Sequence, residues 1–529
     1  MNADQTLPSD DHDHPTEQIS QKNENTQSIE NAPMTPPTEL TPIAAAKRID
    51  LMDILRGFAL IGILMMNIEW FNRTITELGR FDFSLSGFDW SAGWFVRLIV
   101  EGKFYKLFSL LFGMGFAVML LRAKDAGRPF GAWFSRRMLF LFLFGMAHMM
   151  FLWGGDILHD YAAGGMLLLG WIYLVSLKSK YNFLQRFDSP RSFLRLGLVM
   201  LALPMVVSMG AGIFFGQTRT NDVMITEFEQ RKAVMARADQ IKLDPVLSAS
   251  LIEIEAARKA AGEPRPEVDE DAMTAEELVA HKAQRRFLSL DRRAKRKVAE
   301  DEAFTSDSFW TSTVYRTKQA LEYLKDTPFF VLIMGFPLFL VGYWFVASGI
   351  MRKPELHINL FKGMAWVGLG GGLFMATGSL LLMAHPVFES AIEVRAVTQT
   401  TFMFSQYLMT AGYIGGIALL VLTNVGKRAM SWLAPMGRMA LTNYIMHSII
   451  LSSIFYGYAG GMYGEISRGP QMAMVVGIIA MQAVLSRVWL NNFQFGPLEW
   501  VWRSLTYWKV QPMRIAPKAV DAGTVQAAV

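Results

Sequence analysis

Apolar runs of about twenty residues recur along this 529-residue chain, and they constrain its fold more than any other feature. A run of that length matches the hydrocarbon core of a bilayer, where a segment must satisfy its own backbone N–H and C=O groups, so each run is expected to be a helix. The pattern predicts an all-α, polytopic transmembrane helical bundle of about ten spans, with the lipid bilayer as its first partner. A hydrophobic share of 52% supports that class over a set of soluble domains. The formal net charge of +5 does not point to nucleic acid, because Lys and Arg gather in particular loops and form no basic stripe with interleaved aromatics. Cysteine is absent, which excludes disulfides, thiolate catalysis and thiolate metal sites.

Residues 1–46 are rich in Asp, Glu, Gln, Asn, Ser, Thr and Pro, and read as a disordered cytoplasmic tail without the features of a signal peptide. Residues 47–215 read as an N-terminal bundle of five spans. Its first span opens at KRIDLMDILRGFALIGILMMNIEW, its second enters the membrane at about Phe104, and residues 71–100 between them read as a mixed loop. Residues 216–327 change character, becoming charged and Ala-rich around GEPRPEVDED, and predict a soluble helical insert between the fifth and sixth spans. The membrane segments resume over 328–510, and 511–529 reads as a flexible tail. Basic clusters such as Arg122 to Arg137, Lys178 to Arg195, Arg352 with Lys353, and Lys427 with Arg428 alternate with sparsely charged loops. Lys and Arg are retained on the cytoplasmic side, so both termini are expected there and the insert outside.

This topology sorts the polar residues within the spans into two groups. Asp53, Arg56 and Arg137 fall toward the inside, together with Arg438, Glu499 and Arg503; Asn67, Glu101, Lys103, His148, Asp156 and His159 fall toward the outside. Arg56 and Asn67 are eleven residues apart, within about 20° of one helix face and roughly 16 Å apart along the axis. Arg137 and His148 repeat that spacing. Charged groups at membrane depth are costly and face a cavity or a partner, so these stripes are candidates for a polar path; equally, Asp53 with Arg56 can anchor a helix at the headgroups while Asn67 joins helices. His148 precedes Asp156 by eight residues across a Gly-rich turn, close enough for an imidazole and a carboxylate to meet if the turn folds back. Such a His either takes a proton from an acceptor or is a neutral bridge between helices. Glu101 and Lys103 are expected on different faces of one helix. Asn443 and His447, four apart, form a second hydrogen-bonding stripe, and Glu499 and Arg503 have the spacing of an internal ion pair. No phosphate-binding loop, HExxH, nucleophile elbow or dinucleotide fingerprint stands in a fitting context, so no permanently bound cofactor and no metal site is expected.

Five blocks, DILRGFALIGILMMNI, EGKFYKLFSLLFGMGF, WGGDILHDYAAGG, APMGRMALTNYIMHSI and FGPLEWVWRSLTYW, resemble in order those of the YeiB family of bacterial inner-membrane proteins. They span most of residues 48–508. The part from about Phe345 onward looks like that family's named C-terminal domain, a domain of unknown function, and the family has been loosely linked to transport. The first helix is also similar to that of the transmembrane acyltransferase superfamily, whose members pass an acyl group from cytoplasmic acyl-CoA to an acceptor across the membrane. The acyltransferase-three pattern places a His eleven residues after an Arg. Arg56 matches the Arg, but Asn67 occupies the His position. The heparan glucosaminide acetyltransferases carry an Asn near this position and a His in the next loop, yet residues 71–100 contain no His. A base would then have to come from another helix, and His148 is the first choice.

Together these readings favour an inner-membrane O- or N-acyltransferase. Acyl-CoA would be the donor, held by Arg56 and its neighbours, and His148 with Asp156 would act on an extracytoplasmic glycan or lipid-linked sugar. A transporter of a small solute along the same polar groups is the main competitor. A non-catalytic envelope scaffold, oligomeric or not, is the third class.

Overall fold

The computed structural model describes residues 50–74, 85–385, 388 and 391–515. The disordered tail expected over 1–46 and most of the flexible tail expected over 511–529 lie outside the described residues. The chain is a helical bundle, and the described residues contain no strand beyond one isolated bridge between Phe493 and Arg514. Helices α1 (Asp50–Asn72), α2 (Gly87–Phe95), α3 (Phe104–Asp125), α4 (Gly131–Phe151), α5 (Leu158–Ser176) and α6 (Pro190–Thr218) form the first half. Then come α7 (Asn221–Leu243), α8 (Pro245–Ala260) and α9 (Ala275–Thr305) of the insert. The second half contains α10 (Phe309–Phe330), α11 (Phe336–Ala347), α12 (Ile358–Ala365), α13 (Gly372–Met383), α14 (Ile392–Val421), α15 (Asn424–Met430), α16 (Leu433–Arg438), α17 (Ala440–Phe455), α18 (Arg468–Asn492) and α19 (Pro497–Tyr507).

Eight helical stretches among the described residues are long and apolar enough to cross a membrane. Contacts at the two ends of the bundle add α4 and α17. At the basic end, Trp502 on α19 donates to the Arg137 carbonyl early in α4, and Glu499 accepts from the Leu441 N–H that opens α17. At the opposite end, Arg316 donates to the carbonyls of Met150 and Phe151 that close α4, and Phe304 stacks on Tyr456 just past α17 at 4.7 Å. Both helices therefore run from one end to the other, giving ten crossing elements among the described residues. Large apolar side chains such as Phe374, Trp366 and Val206 remain exposed on the outer faces, as lipid contact requires.

Helix α1 is central, flanked by α3, α16, α17 and α18. Lipid is as apolar as leucine, so membrane helices associate through close packing at small residues rather than through hydrophobic burial. Gly57 and Gly437 let α1 and α16 touch through the Leu433 and Asp53 carbonyls, and Gly113 and Gly342 do the same for α3 and α11. Gly368 meets Gly412 between the α12–α13 span and α14, as the glycine run in that span suggests.

The insert has a small core of Ala238, Ile241, Ala283 and Phe287 between α7 and α9. Side-chain caps define its helices: Thr220 for α7, Asp244 before Pro245 for α8, and a reciprocal Thr274–Glu277 box for α9. The helix that returns the chain to the membrane begins at Phe309, twenty residues before the apolar run at Phe329, and continues through a π turn at Val331–Gly335 into α11.

The segment before α3 differs from the expected loop. Residues 87–100 are helical: α2 passes into a π turn in which the Glu101 N–H reaches the Val96 carbonyl at 2.8 Å. The chain then breaks at Gly102, whose φ of +78° favours glycine, and restarts as α3. The Phe104 ring packs against Gly62, about halfway along α1. The break therefore lies near mid-depth of the bundle. An apolar surface on α2 obscured this in the sequence, because so short a segment carries too little periodicity to separate loop from half-helix.

Candidate functional site

The turn after α4 folds back as its spacing suggests. The N–H groups of Leu152 and Trp153 both donate to the His148 carbonyl, at 3.0 and 2.9 Å, and Gly154 and Gly155 carry the chain to Asp156. Asp156 Oδ1 then lies 2.9 Å from His148 Nδ1, while Oδ2 accepts the His159 N–H at 3.1 Å at the start of α5. Gly145 makes this closure possible: a Cβ there would lie 2.7 Å from Asp156 Oδ2 and 2.6 Å from the His159 nitrogen. The side chains of His148 and Asp156 are 1% and 0% exposed.

The other face of the imidazole meets α17. His148 Nε2 is 2.7 Å from Ser448 Oγ, and the Tyr444 hydroxyl donates to Asp156 Oδ1 at 3.3 Å. A carboxylate accepts only, so Nδ1 carries the hydrogen toward Asp156 and Nε2 presents its lone pair to Ser448; this tautomer follows from the hydrogen-bond network. Carboxylate, imidazole and hydroxyl thus stand in the order required for proton removal from an oxygen nucleophile. His159 joins the same carboxylate through Nδ1 at 3.3 Å, and its Nε2 meets Thr327 Oγ1 at 3.1 Å, so it is part of the cluster. Ser448 and Tyr444 were not legible as partners, because they lie about 300 residues away and only tertiary packing joins them to His148.

One aromatic layer separates this cluster from the insert end. Trp153 meets the His148 ring edge at 6.3 Å and stacks on Phe71 at 4.9 Å, and Phe71 in turn stacks on Tyr456. Beyond it lies a cavity of about 550 Å³ lined by Asn72, Arg73, Thr74 and Tyr463 from the bundle and by Lys297 and Asp301 from α9.

The remaining sequence candidates fall into three other places. At the helix break, Glu101 and Lys103 are not on opposite faces of one helix, since the backbone is extended at Glu101 and left-handed at Gly102. Glu101 pairs with Arg97 at 3.9 Å, and Lys103 Nζ donates to the Arg97 carbonyl at 3.1 Å. At the basic end, Arg56 pairs with Asp53 at 2.8 Å and its guanidinium faces Gly115 of α3. Arg137 stacks on Trp502 at 3.5 Å, within the electrostatic reach of Arg56, Arg503 and Glu499. Glu499 caps α17, accepting from the Leu441 and Thr442 N–H groups at 2.7 and 3.1 Å. Between α17 and α18, Asn443 donates to the Met436 carbonyl and to Ser486, and His447 Nε2 meets Gln482 at 2.7 Å, so this stripe joins helices. Asn67 is half-buried and makes no side-chain hydrogen bond among the described residues.

A helical bundle with eight stretches among the described residues long and apolar enough to cross a membrane, a charged helical insert at one end and a buried His–carboxylate cluster between helices defines a polytopic helical membrane protein. Residues 345–509 match the family model described as "Protein of unknown function (DUF418)". Over 482 residues the chain is 28% identical to "Uncharacterized protein YxaH" of Bacillus subtilis (strain 168), covering 90% of this chain and 98% of that protein. It is 23% identical over 465 residues to "Uncharacterized protein YeiB" of Escherichia coli (strain K12), covering 86% and 95%. The chain is thus similar over most of its length to YxaH and YeiB, and its residues 345–509 match the DUF418 model. No solved structure matches it.

Proposed function

We propose that this protein is an inner-membrane acyltransferase, with its basic loops and both termini in the cytoplasm and its insert outside. The observation that carries the reading is the buried Asp156–His148–Ser448 relay, in which an imidazole oriented by a carboxylate aims its free nitrogen at a hydroxyl. In the reaction an acceptor hydroxyl takes the position Ser448 now fills and gives its proton to His148 Nε2 as its oxygen attacks the thioester carbonyl of acyl-CoA. Asp156 stabilises the imidazolium that forms. The C–S bond breaks, and the leaving thiolate of CoA takes the proton from His148. Arg56 and Arg137 at the basic end suit the donor's diphosphate, because planar guanidinium groups bind oxyanions bidentately. The cavity beneath the insert suits a polar acceptor such as a glycan or lipid-linked sugar.

Transport is the second reading, favoured by the broken α2–α3 helix, since discontinuous helices with polar groups near mid-depth are how many transporters hold solutes. The two readings separate in nanodiscs containing the full chain. Labelled acetyl-CoA should bind and release CoA thiol in the presence of envelope extract, and His148→Ala should abolish release while Arg56→Ala weakens binding. Absence of binding and of release refutes the transferase. Gradient-driven uptake into proteoliposomes without acyl-CoA establishes the transporter in its place.

A further inference from the structure

The break between α2 and α3 gathers positive charge where a membrane protein can least sustain it. Lys103 and Lys106 are both 0% exposed. Lys106 is saturated: its Nζ donates to the Gly102 carbonyl at 2.8 Å, the Tyr105 hydroxyl at 2.8 Å and Gln406 Oε1 at 2.6 Å, between the rings of Tyr105 and Tyr407. Lys103 is not. Its Nζ has one acceptor, the Arg97 carbonyl, and otherwise faces the Phe402 ring at 5.2 Å. Among the described residues the one carboxylate within reach of either lysine, Glu101, is already shared with Arg97. Among the described residues the surrounding elements add no anion: α14 presents Phe402, Gln406, Tyr407 and Thr410, and α1 presents Phe58.

A third source of positive potential converges on the same place. Helix α3 starts at the break with Lys103 as its N-cap residue and no side-chain cap, so its first-turn N–H groups and the positive end of its dipole lie near mid-depth. Half-helix N-termini inside membranes are where anionic groups bind. The Gln406 amide packs directly over Gly102, whose left-handed φ of +78° favours glycine at the break. An uncompensated buried charge is destabilising, and an anion that accepts from Lys103 and the first turn of α3 would remove that cost. Upstream of the break α2 exposes Phe88, Trp90 and Phe95, so the outer face of this half-helix is apolar.

We infer that the α2–α3 break is a binding site for an oxyanion, a carboxylate or a phosphate ester, with Lys103 and the N-terminus of α3 as its donors and Lys106 clamped behind them by Gln406. The site uses none of the residues of the His148 cluster and stands apart from the acyltransferase reading. Its source is either a membrane amphiphile or a free anion. The purified full chain in a neutral detergent, with chloride as the reference salt, is titrated separately with sodium phosphate, acetate, palmitate and dioleoyl phosphatidic acid, and unfolding is followed by tryptophan fluorescence. At least one of these anions should raise the unfolding temperature saturably. Stabilisation by palmitate or phosphatidic acid alone identifies an amphiphile; stabilisation by acetate or phosphate as well identifies a free anion. Lys103→Gln should weaken the apparent affinity at least tenfold, and Lys124→Gln, at the exposed far end of α3, should leave it unchanged. Absence of stabilisation by all four anions overturns the site. So does an effect that survives Lys103→Gln, or one that Lys124→Gln removes equally. If Lys103→Gln does not fold, Gly102→Ala, which displaces Gln406 and shifts the break, takes its place with the same expected loss.

Discussion

Replacing Asp156 tests whether the His148 cluster is one cooperative unit. Its carboxylate accepts from His148 Nδ1, the Tyr444 hydroxyl, the His159 N–H and His159 Nδ1, at 2.9 to 3.3 Å, with no exposed side-chain surface. A buried donor stranded by loss of its acceptor costs about 1–3 kcal/mol. Asp156→Ala strands at least three, on His148, Tyr444 and His159, so it should destabilise the bundle by about 3–6 kcal/mol once local rearrangement recovers part. Asp156→Asn keeps the shape and one acceptor oxygen but turns an NH2 toward a donor, and should cost about 2 kcal/mol. Unfolding titrations with denaturing detergent in mixed micelles measure both. A double-mutant cycle with His148→Ala should return a coupling of about 1–2 kcal/mol, because the two side chains share one hydrogen bond and one stranded-donor penalty. An Asp156→Ala protein within about 1 kcal/mol of wild type, or a coupling near zero, would refute the claim that this carboxylate organises the site.

Ser448→Ala should retain CoA release to within about tenfold, because the hydroxyl only fills the acceptor's position; a loss as deep as that of His148→Ala would make Ser448 the acyl carrier, at a removed-base scale of about 10²–10⁴. Arg316→Met should free the Met150 and Phe151 carbonyls that close α4 and destabilise the protein by about 3 kcal/mol, with faster proteolytic cleavage near residues 306–308 as the local readout. In the insert, hydrogen bonds from Arg258 and Arg265 hold the Glu255 carboxyl down at about 2, below its ordinary value of 4.5. A depressed carboxyl stabilises above its unfolded value and loses that contribution as pH falls through the folded one. The clasp between α8 and residues 263–265 should therefore loosen between about pH 4.5 and 2, as increased hydrogen exchange there, and Glu255→Gln should remove the pH dependence.

Physical constraints of the bilayer made much of this protein legible in one dimension. Length and apolarity of the runs dictated helices, and the charged composition of 216–327 set that stretch apart from them. The meeting of His148 with Asp156 was also local, since eight residues through two glycines allow few other outcomes. What lay opposite each polar group was not local. His148 Nε2 finds Ser448, Lys106 finds Gln406, and Glu499 finds the first N–H groups of α17, each across hundreds or tens of residues, because helices bring together faces whose order in the chain carries no trace of the pairing. Lys106 carried a signal, a lysine inside an apolar run, but its neighbours Glu101 and Lys103 read as one helix. Only the tertiary structure decided otherwise: the chain turns at left-handed Gly102 beneath the Gln406 amide, and that break turns three ordinary residues into a charged point near the middle of the bundle.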